Sequence, residues 1–115
     1  MTVSIYGIKN CDTMKKARAW LDSHGVSHVF HDYKIEPPEP ARLQGWIDDL
    51  GWEAVLSRAG TTFRKLPDEA KSGLDAERAK ALMLEQPSMI KRPMLEADGA
   101  LLAGFSPAQY ERLFL

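Results

Sequence analysis

The first 33 residues combine two β-prone segments with one amphipathic helix between them, and this order constrains the fold more than any other part of the sequence. The first segment, Thr2–Tyr6, is β-prone and stops at Gly7. Apolar residues then follow Asp12 at steps of three and four, which predicts a helix that ends at His24–Gly25. A second strand is predicted over Val26–Tyr33. A strand, a helix and a strand of these lengths form a parallel, right-handed βαβ unit.

The middle of the chain, about residues 38–86, is predicted to be helical. It follows a stiff, proline-rich break at residues 36–40. Its clearest pattern is an apolar stripe with the spacing i, i+3, i+4, i+7 of a buried helix face. The stripe consists of Leu43, Trp46, Ile47 and Leu50. The predicted elements are a helix that ends at Gly51, a short helix over residues 53–58, a loop at residues 60–62 and a helix over residues 75–86.

The last part of the chain returns to β structure. Met94–Ala97 and Ala100–Ala103 flank Asp98–Gly99, and this dipeptide is the strongest short-range hairpin signal. Ser106–Gln109 is a capping box with proline at the first helical position, which predicts a final helix. The order β-α-β, helices, β-β-α indicates an α/β protein. We expect residues 1–115 to form one domain with a helical insertion.

Cys11 is predicted to lie just past the first strand, at the first turn of the following helix. This is the carboxyl end of a strand in an α/β sheet, where such folds place their sites. Unpaired N–H groups and a partial positive charge at the helix start favour the thiolate over the thiol. Lys9 adds positive charge nearby. We therefore predict that Cys11 is a nucleophile rather than a buried structural thiol.

A second thiol is missing from the position that a dithiol oxidoreductase uses. The residue three positions after Cys11 is Met14, and the sequence contains 1 cysteine in all. An internal disulfide is therefore impossible, and a lone thiol is typical of a reducing compartment. Turnover through Cys11 would need an external thiol. We expect glutathione as that co-substrate, with no bound cofactor.

Composition and charge argue against several other classes of protein. Fifteen basic and sixteen acidic side chains give a formal charge of −1, which disfavours a nucleic-acid binder that relies on bulk charge. The sequence opens with no basic, apolar leader, and its longest apolar stretch near the end is too short to cross a bilayer. His28 and His31 point to opposite faces of the predicted strand, so no metal site is expected. We expect a cytoplasmic monomer without nucleic-acid or membrane partners.

Four parts of the sequence, spread over nearly its whole length, form a joint pattern: Asn10–Cys11 with Lys16–Ala17, Arg58–Leu66, Ile90–Pro93 and Gly104–Phe105. In this combination they resemble the arsenate reductase (ArsC) and Spx family, and the YffB-like proteins are its most similar branch. The resemblance implies a thioredoxin-like fold with a helical insertion. That fold agrees with the order of elements predicted above.

The resemblance also implies roles for individual residues. Cys11 matches the family's nucleophile, and Arg92 matches an arginine that binds the anionic substrate or stabilises the thiolate. Pro93 matches a proline that is expected to be cis beside the active cysteine. Arg58 matches a second substrate-binding arginine, with Arg64 as the alternative. The residues expected to line the same loop as the nucleophile are Lys9 and Asn10.

Two departures from the family patterns bear on the reaction. Glutaredoxin-coupled arsenate reductases carry a third arginine in the region between the last hairpin and the last helix, whereas Leu102–Ser106 contains none. An arsenate oxyanion beside a thiolate needs concentrated positive charge, so this loss argues against arsenate reduction. Spx-type regulators typically carry a Cys-x-x-Cys switch, and here Met14 replaces the second cysteine.

These departures favour a glutathione-dependent thiol–disulfide reductase. In this interpretation Cys11 attacks a glutathionylated or other mixed disulfide, becomes glutathionylated itself and is released by a second glutathione. One alternative is an arsenate reductase coupled to glutathione or glutaredoxin. The other is a non-catalytic, Spx-like adaptor or transcription regulator that binds a protein partner.

Overall fold

The computed structural model describes residues 2–115 and contains a four-stranded sheet with the strand order β2-β1-β3-β4. The strands are β1 (Val3–Gly7), β2 (Val29–Asp32), β3 (Met94–Ala97) and β4 (Ala100–Ala103). The α-helices within the described residues are α1 (Asp12–Ser23), α2 (Pro40–Leu50), α3 (Trp52–Val55), α4 (Thr61–Arg64), α5 (Asp68–Lys71), α6 (Ala76–Glu85) and α7 (Pro107–Phe114). A 3₁₀ turn, Pro87–Met89, lies between α6 and β3. The predicted α/β class is confirmed.

The chain divides into two compact units. The sheet unit comprises the chain up to Asp32 together with Arg92–Leu115, and it contains the four strands, α1 and α7. The helical unit, Tyr33–Lys91, contains α2 to α6. The insertion predicted at about residues 38–86 is therefore a run of helices between β2 and β3. That residues 1–115 act as one domain stays a prediction.

Strand β1 has a neighbour on each side. It pairs in parallel with β2 and antiparallel with β3, with Tyr6 opposite Met94. β3 and β4 form an antiparallel hairpin. A two-residue turn of this kind requires positive φ at both central residues, and Asp98 and Gly99 have φ values of 45° and 81°. The parallel β1–α1–β2 unit and the predicted hairpin are both confirmed.

Helix α1 ends where its glycine predicts. Gly25 has a φ of 68°, which a residue without a Cβ adopts readily. The N–H of Val26 donates to the carbonyl of Leu21 at 2.9 Å, closing the last turn. The buried face of α1 contributes to the core of the sheet unit. That core consists of Val3, Ile5, Met14, Ala17, Leu21, Leu95, Ala97 and Tyr110.

Strand β2 is shorter than the predicted Val26–Tyr33, and the prediction is wrong at both ends. At the start, the residues before Val29 serve to end α1. The N–H of Val26 bonds to Leu21, and the carbonyl of Val26 accepts a hydrogen bond from His28 Nδ1 at 3.0 Å. These backbone groups are used locally and do not pair with β1.

Within the helical unit, the predicted stripe on α2 buries Leu43, Trp46 and Ile47. Helix α6 starts after Asp75, whose carboxylate accepts the N–H of Arg78 at 2.8 Å, close to the predicted start of that helix. None of the helices within residues 2–115 is long and apolar enough to cross a membrane.

Two predictions in the helical unit are wrong in detail. The helix predicted over residues 53–58 is shorter, because Leu56 leaves α3 in an extended conformation and bridges Ile90. The loop predicted at residues 60–62 instead contains the start of α4. There the carbonyl of Gly60 accepts the N–H of Arg64 at 3.1 Å, and the buried ring of Phe63 anchors the turn.

Candidate functional site

One edge of the sheet collects the loops that carry most of the predicted site residues. β1 ends at Gly7 and β3 begins at Met94, and their antiparallel register places these two ends side by side. β4 runs antiparallel to β3, so its last residue, Ala103, lies opposite Met94 at the same edge. The loop before α1, the Arg92–Pro93 pair and the segment after β4 therefore meet at this edge.

Cys11 is the N-cap residue of α1. Its backbone is extended, with φ of −134° and ψ of 127°, and its carbonyl accepts a hydrogen bond from the Lys15 N–H at 3.0 Å. The sulfur makes no capping hydrogen bond, and the free thiol is half-buried against the core of the sheet unit. The N–H groups in the first turn of a helix lack intrahelical partners and carry partial positive charge. This position leaves part of the residue exposed to solvent, next to the first turn of α1.

Lys9 and Asn10 precede Cys11 in the loop between β1 and α1. Both are exposed, whereas Ile8 before them is buried and anchors the loop. The loop thus presents one cationic and one amide side chain to solvent beside the thiol. Both groups are suited to contact a carboxylate, although their role in binding stays a prediction.

Arg92 and Pro93 are joined by a cis peptide bond, as the family resemblance implies. Pro93 is buried and Arg92 is half-buried. The carbonyl of Pro93 accepts a hydrogen bond from the N–H of Gly104 at 2.8 Å, which ties the residue before β3 to the residue after β4. Arg92 is thereby placed at the Cys11 edge of the sheet, and its binding of an anion stays a prediction.

The segment after β4 brings no cation to this edge. Gly104 bonds to Pro93, Phe105 is half-buried, and the Ser106 hydroxyl accepts the Gln109 N–H at 3.4 Å as the N-cap of α7. This is the region in which the sequence lacks the third arginine of arsenate reductases. The hydrogen bond from Gly104 to Pro93 places this segment at the edge that carries Cys11.

Comparison with known families identifies the chain. A model of the ArsC family matches residues 6–113, a span that includes every predicted site residue. The chain belongs to the ArsC family.

Three similar proteins illustrate the range of the ArsC family. A solved structure described as the YffB protein is 55% identical, with a TM-score of 0.92 and 96% of each chain covered. The solution structure of an arsenate reductase (ArsC) related protein from Brucella melitensis is 59% identical, with a TM-score of 0.79 and coverage of 99% of this chain and 95% of that one. The global transcriptional regulator Spx 1 of Lactococcus lactis is 28% identical over 96% of this chain and 93% of its own length. The resemblance and the thioredoxin-like fold are confirmed.

In this ArsC-family chain, a buried methionine fills the place of a second cysteine. Met14 is 0% exposed, and a Cβ added at Gly7 would collide with its side chain. As it is packed, the Met14 side chain leaves no room for a Cβ at the glycine that ends β1. From the sequence, Gly7 is predicted only as the end of a strand, because no local pattern shows which side chain packs over it.

A groove beside α1 was not predicted from the sequence. It encloses about 260 Å³, and its apolar wall is formed by Ile8, Met14 and Phe30. The Arg18 guanidinium lies over the Phe30 ring, 4.5 Å from its centroid. One signal in the sequence could have indicated the groove. Lys15, Arg18 and Asp22 follow Cys11 at i+4, i+7 and i+11, a spacing that places their side chains on one face of the helix. The charged residues that line the groove are Lys9, Lys15, Arg18 and Asp22.

The two remaining candidate arginines belong to the helical unit. Arg58 lies 3.7 Å from a carboxylate oxygen of Glu53, and its guanidinium is 5.2 Å from the centre of the Trp52 ring. Arg64 is exposed in the last turn of α4, where its carbonyl accepts a hydrogen bond from Lys71 Nζ at 2.8 Å. Their part in binding substrate stays a prediction, as does the choice between them.

Two further findings concern the Tyr110 hydroxyl and possible metal ligands. Burial raises the pKa of the Tyr110 hydroxyl well above its usual value, so this group stays neutral in the core of the sheet unit. Among residues 2–115, no group of three or more His, Cys, Asp or Glu side chains is arranged to hold a metal ion.

Proposed function

We propose that this ArsC-family protein is a glutathione-dependent thiol–disulfide reductase that uses Cys11 as its single nucleophile. The observation that carries the proposal is the position of Cys11: it is a free, half-buried N-cap residue of α1, at the sheet edge that also holds Arg92 and Pro93. Helix N-termini favour thiolates, and a stabilised thiolate is also a good leaving group. A residue placed in this way is suited to enter and leave mixed disulfides.

The proposed cycle has two exchange steps. The Cys11 thiolate attacks the glutathione sulfur of a glutathionylated substrate; the Cys11–glutathione disulfide forms, and the substrate thiolate leaves and takes up a proton. The thiolate of a second glutathione then attacks the glutathione sulfur on Cys11. Oxidised glutathione forms and the Cys11 thiolate leaves. The net reaction converts one mixed disulfide and one glutathione into one free thiol and one oxidised glutathione.

The buried methionine supports a cycle of this kind. A dithiol enzyme would resolve its mixed disulfide with a second cysteine, and that position holds Met14 packed over Gly7. The Cys11–glutathione intermediate must therefore be released by a thiol from solution. Glutathione itself is the simplest candidate, and glutaredoxin would be a protein alternative.

Substrate anions would meet cations at this edge. Arg92 is the principal candidate, because the planar fork of an arginine suits a carboxylate. Lys9 and Asn10 would add contacts from the loop before Cys11, and Pro93 would present its backbone to the disulfide. Arg58, with Arg64 as the alternative, stays a prediction as a second substrate-binding arginine.

Arsenate reduction is the second candidate, favoured by the description of the Brucella melitensis relative as arsenate reductase (ArsC) related. The segment after β4 argues against it, because no arginine stands between Ala103 and α7. A regulator that does not turn over substrate is the third candidate, favoured by the relative described as Spx 1. Met14 argues against a disulfide-switched regulator of this type.

One assay separates the three candidates. Reduction of a glutathionylated peptide by glutathione is followed beside reduction of arsenate, with wild type and Cys11→Ser. We expect turnover of the peptide disulfide and a loss of at least about 10³-fold in Cys11→Ser, because a serine hydroxyl cannot take part in disulfide exchange. Circular dichroism checks that the variant is folded. Turnover of arsenate in preference to the disulfide, or no turnover of either, would overturn the proposal.

A further inference from the structure

The groove beside α1 adjoins the Cys11 loop through Ile8 and Lys9, and charged side chains of α1 line it. Lys15, Arg18 and Asp22 line it and lie on one face of α1, in the turns that follow the N-cap residue Cys11. Lys9 lines the end near Cys11. Cations therefore occupy the near part of the groove, and a carboxylate occupies its far end. The Asp22 carboxylate is 76% exposed and lies 4.0 Å from His28 Nδ1.

The size of the groove suits one arm of a small peptide. Its volume of about 260 Å³ lies just below the range that holds a whole drug-sized ligand. Arg18 follows Cys11 by seven residues, which corresponds to about 10 Å along the helix axis. Helical side chains lean towards the N-terminus, so the Arg18 guanidinium lies closer to Cys11 than its Cα does. Glutathione is attached through the sulfur of its central residue, and the eight bonds from that sulfur to the carboxylate carbon of the γ-glutamyl arm span roughly 10 Å when extended. One end of a glutathionyl group attached to Cys11 can therefore reach Arg18.

The order of charges distinguishes the two arms of glutathione. The glycine arm ends in a carboxylate alone, whereas the γ-glutamyl arm ends in a carboxylate and an ammonium group on the same carbon. Arg18 and Asp22 are one helical turn apart and offer a cation followed by an anion. The ring of Phe30 supports the Arg18 guanidinium from below.

We propose that this groove binds the γ-glutamyl arm of the glutathionyl group on Cys11, with Arg18 and Lys15 on its carboxylate and Asp22 on its ammonium group. The inference rests on the proposed function and adds a specificity: the enzyme selects disulfides of γ-glutamyl thiols. It also fixes the direction of attack. A glutathionyl group held in this groove presents its own sulfur to Cys11 and leaves the substrate sulfur as the departing group.

Three disulfides of one peptide test the specificity: those with glutathione, with γ-glutamylcysteine and with cysteinylglycine. Wild type should turn over the first two with similar kcat/KM and the third more slowly. Arg18→Gln should lower kcat/KM for the two γ-glutamyl disulfides about fivefold, as expected for a partly exposed ion pair. It should leave cysteinylglycine disulfide unchanged within about twofold. Asp22→Asn should have a smaller effect of the same kind, because its carboxylate is largely exposed.

Arg112→Gln is the matched control, since Arg112 is an exposed arginine on α7 and makes the same change in charge. It should change none of the three rates. Equal losses on all three disulfides in Arg18→Gln, or no loss on any, would overturn the inference even if the wild-type enzyme is active.

A binding measurement separates this inference from the proposed function. S-methylglutathione, which cannot exchange, is titrated into the wild-type protein while its amide NMR signals are followed. The signals of Lys9, Lys15 and Arg18 should shift, and the dissociation constant should rise about fivefold in Arg18→Gln but not in Arg112→Gln. If no disulfide is turned over and these shifts are still seen, binding of the γ-glutamyl arm in the groove is supported and the proposed function fails. Shifts confined to other residues would overturn the inference that this groove binds the γ-glutamyl arm.

Discussion

The sheet unit and the helical unit differ in how they place polar side chains. In the sheet unit, strand register brings the Cys11 loop, Arg92–Pro93 and the segment after β4 to one edge, although they are far apart in sequence. In the helical unit, the candidate arginine Arg58 contacts Glu53 and Trp52, which are near it in sequence and lie on α3. Strand pairing therefore brings together predicted site residues that are far apart in sequence, whereas Arg58 contacts residues that are near it in the chain.

Substitution of one glycine in each unit is expected to give the largest difference, because stability should change in opposite directions. Gly7→Ala should destabilise the protein by about 2 kcal/mol, because the new Cβ would overlap the buried Met14 side chain. Gly45→Ala should stabilise it by about 0.5–1 kcal/mol, because Gly45 is exposed within α2 and has open space where the Cβ would stand. Urea unfolding measures both.

A double variant tests the cause of the first effect. In a Met14→Ala background the space beside Gly7 is open, so Gly7→Ala should then cost less than about 0.5 kcal/mol. If the cost of Gly7→Ala is unchanged in that background, the clash with Met14 is not its origin.

Substitution of one candidate arginine in each unit compares how much the two side chains contribute to catalysis. Arg92→Gln should lower kcat/KM for a glutathionylated peptide about tenfold, as expected for the loss of a charge-assisted hydrogen bond. Arg58→Gln should lower it by about threefold or less, since Arg58 is half exposed and shared with Glu53. Steady-state kinetics measures both, with Arg112→Gln as the control. A larger loss in Arg58→Gln than in Arg92→Gln would reverse the assignment of the principal anion-binding arginine.

Removal of one helix cap in each unit is expected to give the smallest difference in stability. Asp75→Ala should cost about 1 kcal/mol, because its carboxylate accepts the Arg78 N–H at 2.8 Å at the start of α6. Ser106→Ala should cost about 0.5 kcal/mol, because the bond from the Gln109 N–H at the start of α7 is 3.4 Å long. Thermal unfolding of the two variants ranks them. The opposite ranking would show that the lengths of these bonds do not govern the strength of the caps.

The elements that could be predicted from the sequence are those set by local conformation. Asp98–Gly99 specifies its hairpin because both residues adopt positive φ, and Gly25 ends α1 for the same reason. Strand β2 was misjudged because its β-prone residues begin at Val26, whereas the backbone there completes the end of α1. Residues 60–62 were misjudged because the buried Phe63 ring, a tertiary contact, stabilises a turn that the local composition disfavours.

In the candidate site, too, local features could be predicted from the sequence and tertiary features could not. Cys11 could be placed from the sequence because a strand end followed by a helix start is a local pattern. The cis bond at Pro93 was implied by family resemblance alone, and the groove beside α1 was missed. Phe30 and Arg18 belong to different elements, and only the parallel pairing of β1 with β2 brings the Phe30 ring beneath the guanidinium.

The most direct test of the central claim is the intact mass of the folded protein after incubation with oxidised glutathione. We expect one glutathionyl group per chain, located on Cys11 by peptide mapping and removed by added glutathione. A folded chain that takes up no glutathionyl group, while the same chain in urea does, would contradict it, because the Cys11 thiol would then be closed to disulfides in the native structure.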